Sequence, residues 1–474
     1  MTTVLKRSAI ILASLLIVLL CTPRAYAMDI RVLLESTRAD AFTIYTDTGA
    51  YELQDDKGRY VTSIRRGAKV DIGKYHGSLS VYVDGNPVVD SQPSIYLAAA
   101  NDDCLFEYKG KLYRGSLSIV SNDTSSYIIN NLDMEYYLYG VVGREIGYNQ
   151  PLEAAKAQAV ASRSYAMAKL NTANKYYDIG SDTSAQSYGG YTAEKEASSG
   201  NVIRAVNDTA GEIVCYRGNP FESYYHSNAG GHTEDIANVW GGSVPLKGVP
   251  SPYDEYIEKS GYSGSIYRWQ VTYSAAELRD LAERYAGRSI GEYRGIELST
   301  TGANGRPSAS GRVTEVIIKG SNGEVSAKRE DIRSLLGNLK STLFTLDGAD
   351  STTTISSNST FYVLDKGDIS PRPVDDIGAY YVQDGSGGIL KTLAELGLNF
   401  IIKGAQQSVN VGSGGTATSS AGNVTIYGRG YGHGVGMSQW GAIGMAADGY
   451  RYDEILSHYF NMEDNRNFTL ERFR

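Results

Sequence analysis

The sequence has little cysteine, with three in 474 residues. Cys21 lies in the apolar N-terminal segment, so a secreted mature chain would keep only Cys104 and Cys215. Two cysteines exclude a framework of several disulfides. One disulfide and two separate buried thiols both agree with the sequence. Neither cysteine has a neighbouring histidine, so a cysteine nucleophile has no support.

Long apolar runs are also scarce. The run Ala9–Cys21 has 13 residues, fewer than the ~17–25 that a spanning helix needs. It follows Lys6 and Arg7 and precedes Ala25-Tyr26-Ala27, which matches a small-x-small cleavage site. We therefore predict that residues 1–27 are a signal peptide and that the protein is secreted, extracellular or cell-wall associated. A membrane contact is expected only if the signal segment is retained.

The chain lacks an excess of positive charge. It has 45 Lys and Arg against 53 Asp and Glu, a formal net charge of −8. Cleavage after residue 27 would remove Lys6, Arg7 and Arg24 and no acidic residue, which makes the mature charge −11. An acidic chain argues against nucleic acid or an anionic bilayer as the main partner.

Two common catalytic signatures are absent. No Gly-x-Ser-x-Gly elbow of a serine hydrolase occurs, and no Gly-Lys-Ser/Thr of a phosphate-binding loop. The glycines of Gly428–Gly436 fall on alternate positions, whereas the dinucleotide fingerprint needs one three residues after another. Alternate glycines instead indicate a backbone that turns tightly or closely approaches other atoms. Packing and ligand contact both explain such a loop.

Periodicity predicts a mixed α+β fold with a β-rich N-terminal module. Short alternating segments such as Ile30–Leu34 and Leu79–Val83 read as strands. Pro151–Leu170 has seven alanines and no glycine, and reads as a closely packed helix. We also predict a hairpin of Glu212–Tyr216 with Phe221–Tyr225 and a helix from about Ala275 to Ala286. The predicted divisions are the β-rich module 28–112, a domain in two parts, 113–346 and 423–474, and an insertion, 347–422, with Ser/Thr- and Gly-rich flanks.

Three places carry candidate side chains. His433, Ser438, Gln439 and Trp440 lie near the start of a short helix, where a tryptophan with polar neighbours suits a sugar ring, although a core tryptophan beside a capped helix explains it as well. His226 and His232 have no standard zinc spacing and no nearby cysteine, so we favour structural histidines.

The third place is Glu145. Its apolar approach favours partial burial, whereas Arg144 and the helix start after it favour the ionised carboxylate. The sequence leaves the balance between these effects open.

Taken together, three segments resemble the SpoIID/LytB family of bacterial cell-wall proteins. They are Tyr137–Val142 leading to Glu145, Glu153–Ala166, and the Gly-His-Gly-Val-Gly-Met-Ser-Gln-Trp-Gly run at 432–441. The resemblance extends from roughly Tyr113 to the C-terminus, apart from the insertion. It implies a peptidoglycan lytic transglycosylase with Glu145 as the catalytic acid and base.

The same resemblance implies which other residues line or support the glycan cleft. They are Gln158, Arg163, Gln186, Tyr188, His226, Ser227, His433 and Gln439, to which Trp440 is added from the sugar argument. Arg163 suits the muramic carboxylate, or equally a structural ion pair. Some relatives bind zinc in the loop matching 171–190, but here that loop has neither cysteine nor histidine, so we expect no metal and no cofactor.

Three functions follow as hypotheses. The leading one is a lytic transglycosylase whose partner is the peptidoglycan glycan strand. The second is a non-catalytic enhancer of a cell-wall amidase. The third is a wall-bound scaffold whose N-terminal module contacts partners.

Overall fold

The computed structural model describes residues 28–170, 176–197, 200–242, 244–262, 266–305, 308–346 and 423–473, with the backbone of short strands between 361 and 419. The chain divides into two compact units: the first unit runs to Ser223 and includes the residues from Asn467, and the second unit is Tyr224–Arg466. The predicted signal peptide lies outside the described residues, as does most of the predicted insertion. No helix in the described ranges is both long and apolar enough to cross a bilayer.

Strands dominate the beginning of the first unit. They are Asp29–Thr37 (β1), Ala41–Thr48 (β2), Tyr51–Gln54 (β3), Tyr60–Ile64 (β4), Lys69–Tyr75 (β5), Ser78–Val83 (β6), Asn86–Gln92 (β7), Ser94–Ala99 (β8), Leu105–Tyr108 (β9), Lys111–Arg114 (β10), Ser116–Ser121 (β11), Ser126–Asp133 (β12), Ile179–Gly180 (β13), Glu212–Tyr216 (β14) and Asn219–Pro220 (β15). A seven-stranded sheet has the order β13-β1-β12-β11-β8-β3-β4, and a six-stranded sheet has the order β10-β9-β2-β5-β6-β7. In β6, Leu79 and Val81 are buried while Tyr82 is exposed, the alternation that a half-buried strand requires. The predicted β-rich N-terminus is confirmed.

Helices follow the strands in the first unit. They are Met134–Tyr139 (α1), Val142–Ile146 (α2), Leu152–Lys169 (α3), Gly190–Ala197 (α4) and Val202–Asp208 (α5). The predicted alanine-rich helix is confirmed as α3, with Pro151 at its N-cap. Twelve of its 18 residues are buried, because its small side chains let α5 and β14 pack against it.

Cys104 and Cys215 are buried free thiols, which settles the disulfide alternative in favour of separate thiols.

The second unit has smaller sheets. Its strands are Tyr225–His226 (β16), Arg268–Tyr273 (β17), Tyr293–Ser299 (β18), Glu315–Gly320 (β19), Gly323–Lys328 (β20), Phe344–Leu346 (β21), Phe361–Val363 (β22), Arg372–Val374 (β23), Tyr381–Gln383 (β24), Ile389–Thr392 (β25), Ala417–Ser419 (β26), Val424–Arg429 (β27) and Met437–Ser438 (β28). Its helices are Ile236–Val239 (α6), Tyr256–Lys259 (α7), Ala275–Ala286 (α8), Asp331–Leu335 (α9), Gln439–Ala447 (α10) and Tyr452–Tyr459 (α11), with a 3₁₀ turn at Pro252–Glu255. The predicted helix α8 is confirmed, and a capping box of Ser274 with Glu277 fixes its start.

The predicted hairpin after β14 is present but shorter than predicted, and the N–H of Phe221 donates to the carbonyl of Val214 at 3.0 Å as its last bond. β14 pairs with β15 over only two positions, and its longer partner is the strand Phe468–Arg472 (β29) in the first unit. Tyr225 instead belongs to β16, which pairs in parallel with β28. The physical reason is that the carbonyl of Tyr224 accepts the N–H of Met437 at 3.0 Å, so this backbone is engaged elsewhere.

Candidate functional site

The ten predicted site residues fall into the two units, five in each. The first unit holds Glu145, Gln158, Arg163, Gln186 and Tyr188. The second unit holds His226, Ser227, His433, Gln439 and Trp440. Each group is therefore described by itself.

Glu145 lies on α2 and is half-buried. The backbone N–H of Ser187 donates to its Oε1 at 2.6 Å. The side chain of Arg144 turns to the same serine, and its Nε donates to the hydroxyl of Ser187 at 3.1 Å. One loop residue thus orients the carboxylate and also engages the arginine beside it.

Two glycines permit this close arrangement. A Cβ on Gly143 would lie 2.2 Å from ring atoms of Tyr148, so only glycine lets that ring cover α2. A Cβ on Gly189 would lie 2.6 Å from Cδ of Arg144. Because neither glycine has a side chain, the loop can lie close to α2, and the N–H of Ser187 can reach Glu145.

The loop residues Gln186, Ser187 and Tyr188 alternate in burial. Gln186 and Tyr188 are buried, whereas Ser187 between them is half-buried and faces Glu145. The hydroxyl of Tyr137 donates to Gln186 at 2.9 Å, and the hydroxyl of Tyr188 donates to Asn130 at 2.8 Å. Burial raises the pKa of Tyr188 well above its ordinary value. The hydrogen bonds of Gln186 and Tyr188 thus anchor the loop to the interior of the first unit.

Gln158 and Gln186 meet at one residue of α3. Nε2 of Gln158 donates to the hydroxyl of Ser162 at 3.0 Å, and Nε2 of Gln186 donates to the carbonyl of Ser162 at 3.2 Å. Both amides are fully buried. These bonds tie the loop that carries Ser187 to the central helix. Contact of either glutamine with a glycan stays a prediction.

Arg163 is 1% exposed and forms a bidentate ion pair with Glu135. Its Nε and Nη2 donate to the two carboxylate oxygens at 2.8 and 2.6 Å. The remaining donors reach the carbonyls of Glu212, at 3.0 Å, and Val206, at 3.3 Å. The structural ion pair that the sequence left open is therefore present, and the guanidinium is committed to protein partners.

In the second unit, His226 and His433 lie side by side with ring centroids 5.3 Å apart. Nδ1 of His226 donates to the carbonyl of Val435 at 3.1 Å, while Nδ1 of His433 accepts the N–H of the same residue at 3.0 Å. Burial lowers the pKa of His226 well below its ordinary value and the pKa of His433 to about 3. Both rings are consequently neutral near pH 7. Their tautomers are opposite, because Nδ1 carries the proton in His226 and lacks it in His433, and Val435 determines both.

The alternate glycines around His433 make close backbone approaches, as predicted. Gly432, Gly434 and Gly436 have φ angles of +111°, +85° and +72°, which favour glycine. A Cβ on Gly434 would lie 2.5 Å from Cζ of Arg312, and one on Gly436 would lie 2.1 Å from the carbonyl oxygen of Tyr224. Each of these glycines therefore lies where a side chain would collide with a neighbour, and Gly434 lies against the buried guanidinium of Arg312.

Ser438 and Asp254 connect the loops of this unit. Ser438 caps α10, where its hydroxyl accepts the N–H of Gly441 at 3.3 Å and donates to Asp254. The carboxylate of Asp254 also accepts the N–H of Gly231 at 2.9 Å. Burial raises the pKa of Asp254 to about 6. This carboxyl holds the loop after His226 and the loop before α10 together.

The remaining predicted residues lie near the start of α10. Gln439 is buried and Ser227 is half-buried. The N–H of Trp440 donates to the carbonyl of Ser227 at 3.0 Å. The indole of Trp440 packs on the exposed Tyr262, with centroids 5.4 Å apart. Of the two sequence interpretations of Trp440, a partly exposed aromatic pair fits the sugar argument better than a core position.

Comparison with known proteins connects these sites to cell-wall biology. A family model described as stage II sporulation protein matches residues 122–216, and a domain of unknown function matches residues 254–366. An uncharacterized protein of Brachyspira hyodysenteriae is 31% identical over 76% of this chain and 73% of its own length. The amidase enhancer of Bacillus subtilis is 28% identical over 68% of this chain and 39% of its own length. Stage II sporulation protein D of the same organism is 24% identical over 73% of this chain and 77% of its own length.

The chain belongs to the SpoIID/LytB family. The matched family region contains Glu145 and α3, so the first-unit site lies inside it. A cell-wall role follows from the family.

Sequence reasoning about this SpoIID/LytB protein missed four residues of the two sites. They are Ser187, Trp240, Asp254 and Arg312. Ser187 acts through its backbone N–H, which has no signature in the side chain. Trp240 follows a short helix and packs on His433 with centroids 4.8 Å apart. The Val-Trp-Gly-Gly sequence at 239–242 was the available signal, because a tryptophan before two glycines is an unusual surface element.

The described part of this family member contains no cluster of side chains that could bind a metal ion. Within those ranges, no three His, Cys, Asp or Glu side chains come close enough together to hold an ion. Nδ1 of His232 donates to the carbonyl of Thr233 at 2.6 Å, so one of its two nitrogens is engaged.

Proposed function

We propose that this protein is a secreted lytic transglycosylase that cleaves peptidoglycan glycan strands outside the cell. The observation that carries the proposal is the half-buried carboxylate of Glu145, oriented by the Ser187 N–H at 2.6 Å. Positioned carboxyls of this kind transfer protons to and from sugar oxygens. The similarity to stage II sporulation protein D and to an amidase enhancer supports peptidoglycan as the substrate.

In the proposed mechanism one carboxyl serves twice. Glu145 first gives its proton to the glycosidic oxygen between N-acetylmuramic acid and N-acetylglucosamine, and the C1–O bond breaks. The carboxylate then accepts the proton of the muramic 6-hydroxyl as that oxygen bonds to C1. The product is a 1,6-anhydro ring, the glutamic acid is regenerated, and no water is consumed. A second catalytic carboxylate of the ordinary glycosidase kind is therefore not required.

Product analysis tests this proposal. Residues 28–474 are incubated with intact and with amidase-treated peptidoglycan, and soluble products are identified by mass spectrometry. Glu145→Gln keeps the size of the side chain and removes the acid. Glu153→Gln is the matched control, because Glu153 is also half-buried, lies on the next helix, α3, and pairs with Lys156 at 2.9 Å. We expect anhydro-muramic ends from the wild type and from Glu153→Gln, and none from Glu145→Gln.

A second candidate function is enhancement of a cell-wall amidase. The observation that favours it is the 28% identity with the Bacillus subtilis amidase enhancer over 68% of this chain. If the wild type releases no anhydro product from either substrate, the transglycosylase proposal is wrong. Acceleration of a purified cell-wall amidase on the same peptidoglycan would then support the enhancer.

A further inference from the structure

Three exposed tyrosines lie on the outer face of the six-stranded sheet in the first unit. The strands β2, β5 and β6 are neighbours in this sheet, and successive side chains of each strand point to opposite faces. The inner face is buried and consists of Ile44, Val70, Ile72, Leu79 and Val81. Tyr45, Tyr75 and Tyr82 lie on the opposite face of the same strands and are 43%, 77% and 42% exposed.

The strand register determines the spacing of two of these tyrosines. Tyr45 of β2 lies opposite Lys69 of β5. Tyr82 of β6 lies opposite Asp71, two positions further along β5. With strands about 4.8 Å apart and about 3.4 Å per residue, the Cα atoms of the two tyrosines are roughly 12 Å apart. Alternate sugars of an extended β-1,4-linked glycan are separated by a comparable distance, so each ring can stack on one of them.

Hydrogen-bonding groups lie between the two rings. The hydroxyl of Thr43 donates to one carboxylate oxygen of Asp71 at 2.6 Å. The ammonium of Lys69 pairs with the other oxygen at 2.9 Å. These bonds hold the carboxylate and the ammonium at the surface, and each group has capacity for further hydrogen bonds, because a carboxylate has about four acceptor sites and an ammonium three donors. Sugar hydroxyl and acetamido groups require both donors and acceptors.

The middle of this face has no large side chain. Gly73 of β5 lies opposite Ala41 on one neighbouring strand and Ser80 on the other. A Cβ on Gly73 would have a single ordinary contact, with the carbonyl oxygen of Ser80 at 4.0 Å, and its φ lies outside the left-handed region. The fold therefore does not require glycine here. A strand glycine without an internal reason is typical of a surface that another molecule approaches closely.

The composition of this face favours a sugar over a protein or a lipid. The outward positions of β2, β5 and β6 hold no valine, leucine, isoleucine, methionine or phenylalanine. The cores of protein interfaces are richer in apolar side chains, and lipid-binding surfaces expose contiguous apolar patches. Tyrosine has an apolar ring and a polar tip, which matches a pyranose with its C–H faces and its rim of hydroxyls.

We propose that this outer face binds an extended β-1,4-linked glycan strand at a site of its own. Tyr45 and Tyr82 stack on alternate sugars, and the strand passes over Gly73. An open sheet face contacts only one side of a strand, so stem peptides that point away from the sheet do not prevent binding. The face lies within residues 41–82, before the region 122–216 that the family model matches. The inference rests on the proposed cell-wall substrate but not on its cleavage.

Binding to insoluble peptidoglycan with and without stem peptides tests this site. All proteins comprise residues 28–474 and carry Glu145→Gln, so that nothing is cleaved. Sedimentation with intact and with amidase-treated peptidoglycan gives the dissociation constants. The variants are Tyr45→Ala and Tyr82→Ala, separately and combined. Tyr60→Ala is the matched control, because Tyr60 is 60% exposed and lies on β4 of the seven-stranded sheet.

We expect Tyr45→Ala and Tyr82→Ala each to weaken binding about three- to tenfold on both substrates, the range of one aromatic stacking contact. The combined variant should weaken it by about the product of the two losses, and Tyr60→Ala should bind like the parent protein. Gly73→Gln adds a side chain that the sheet accommodates but that obstructs the path of the glycan, so it should also weaken binding. Chitohexaose, a soluble β-1,4-linked strand without peptides, should displace the parent protein. Unchanged thermal melting establishes that the variants fold.

Several outcomes would overturn the site. The combined variant or Gly73→Gln could bind intact peptidoglycan as tightly as the parent protein, or Tyr60→Ala could lose as much affinity as Tyr45→Ala. Losses confined to amidase-treated peptidoglycan would contradict binding in the presence of stem peptides. Failure of chitohexaose to displace the parent protein would show that the occupant is not the glycan. If the protein releases no anhydro product but the tyrosine variants bind less tightly, this site stands and the transglycosylase proposal alone is wrong.

Discussion

The buried ion pair of Arg163 gives the sharpest test of a structural against a substrate-binding role. Arg163→Ala removes four hydrogen bonds and leaves the carboxylate of Glu135 and the carbonyls of Glu212 and Val206 without the guanidinium. Glu135 keeps one donor, the N–H of Gly211 at 3.2 Å. Breaking a buried pair on one side costs about 3–5 kcal/mol. For a domain of 150–250 residues this lowers the melting temperature by about 6–20 °C.

The chain contains separate probes for its two units. Cys104 and Cys215 are buried thiols in the first unit, and all three tryptophans, Trp240, Trp269 and Trp440, lie in the second. Pulsed thiol labelling against temperature therefore follows the first unit, and tryptophan fluorescence follows the second. We expect Arg163→Ala to lower the thiol-labelling midpoint by the amount above.

A control and a rescue complete this experiment. Arg204→Ala removes an exposed arginine that is 3.6 Å from Asp208 on the same helix, and such pairs contribute at most about 1 kcal/mol. Arg163→Met combined with Glu135→Leu replaces both charges and should recover much of the loss. The reasoning is refuted if Arg163→Ala leaves the thiol midpoint unchanged and weakens only glycan binding.

Two further predictions concern the second unit, both read by urea unfolding with tryptophan fluorescence. The folded pKa of Asp254 is raised from 3.8 to about 6, so the folded state holds a proton that the unfolded state releases, and this contribution to stability is lost as pH rises between those values. Stability of the wild type relative to Asp254→Asn should therefore fall by about 2.4 kcal/mol from pH 4 to pH 7, and parallel pH profiles would contradict the assignment. Gly434→Ala places a Cβ 2.5 Å from Arg312 at a φ of +85° and should cost more than about 2 kcal/mol. Gly449→Ala, with φ +99° and open space around it, should cost only about 1–2 kcal/mol, and equal losses would exclude the packing explanation.

Local patterns predicted the elements whose causes are local. The alternating pattern of apolar residues identified β6, small side chains identified α3, and the helix predicted from about Ala275 to Ala286 is present as α8. The spacing of glycines around His433 correctly indicated close approach of the backbone. Each of these features depends on neighbours within a few positions.

Contacts between distant segments were beyond such patterns. β14 pairs with β29 across 260 positions at the hydrogen-bonded pair of Glu212 with Arg472, and no local signal selects that partner over Phe221–Tyr225. In the loop after α3, a period of two predicts alternation but not which set faces the interior. The family resemblance named Gln186 and Tyr188, whereas Ser187 between them contacts Glu145.

The long-range pairing of β14 has a consequence for how the chain matures. The first unit needs β29, which follows the whole second unit in the sequence, to complete its three-stranded sheet. During synthesis or export the first unit therefore exposes the edge of β14 until the last residues emerge. Closing so long a loop is slow, because the chain entropy is lost before the contacts form. A chain that stops before Phe468 would keep an open strand edge, the feature that promotes aggregation and recognition by quality-control proteases.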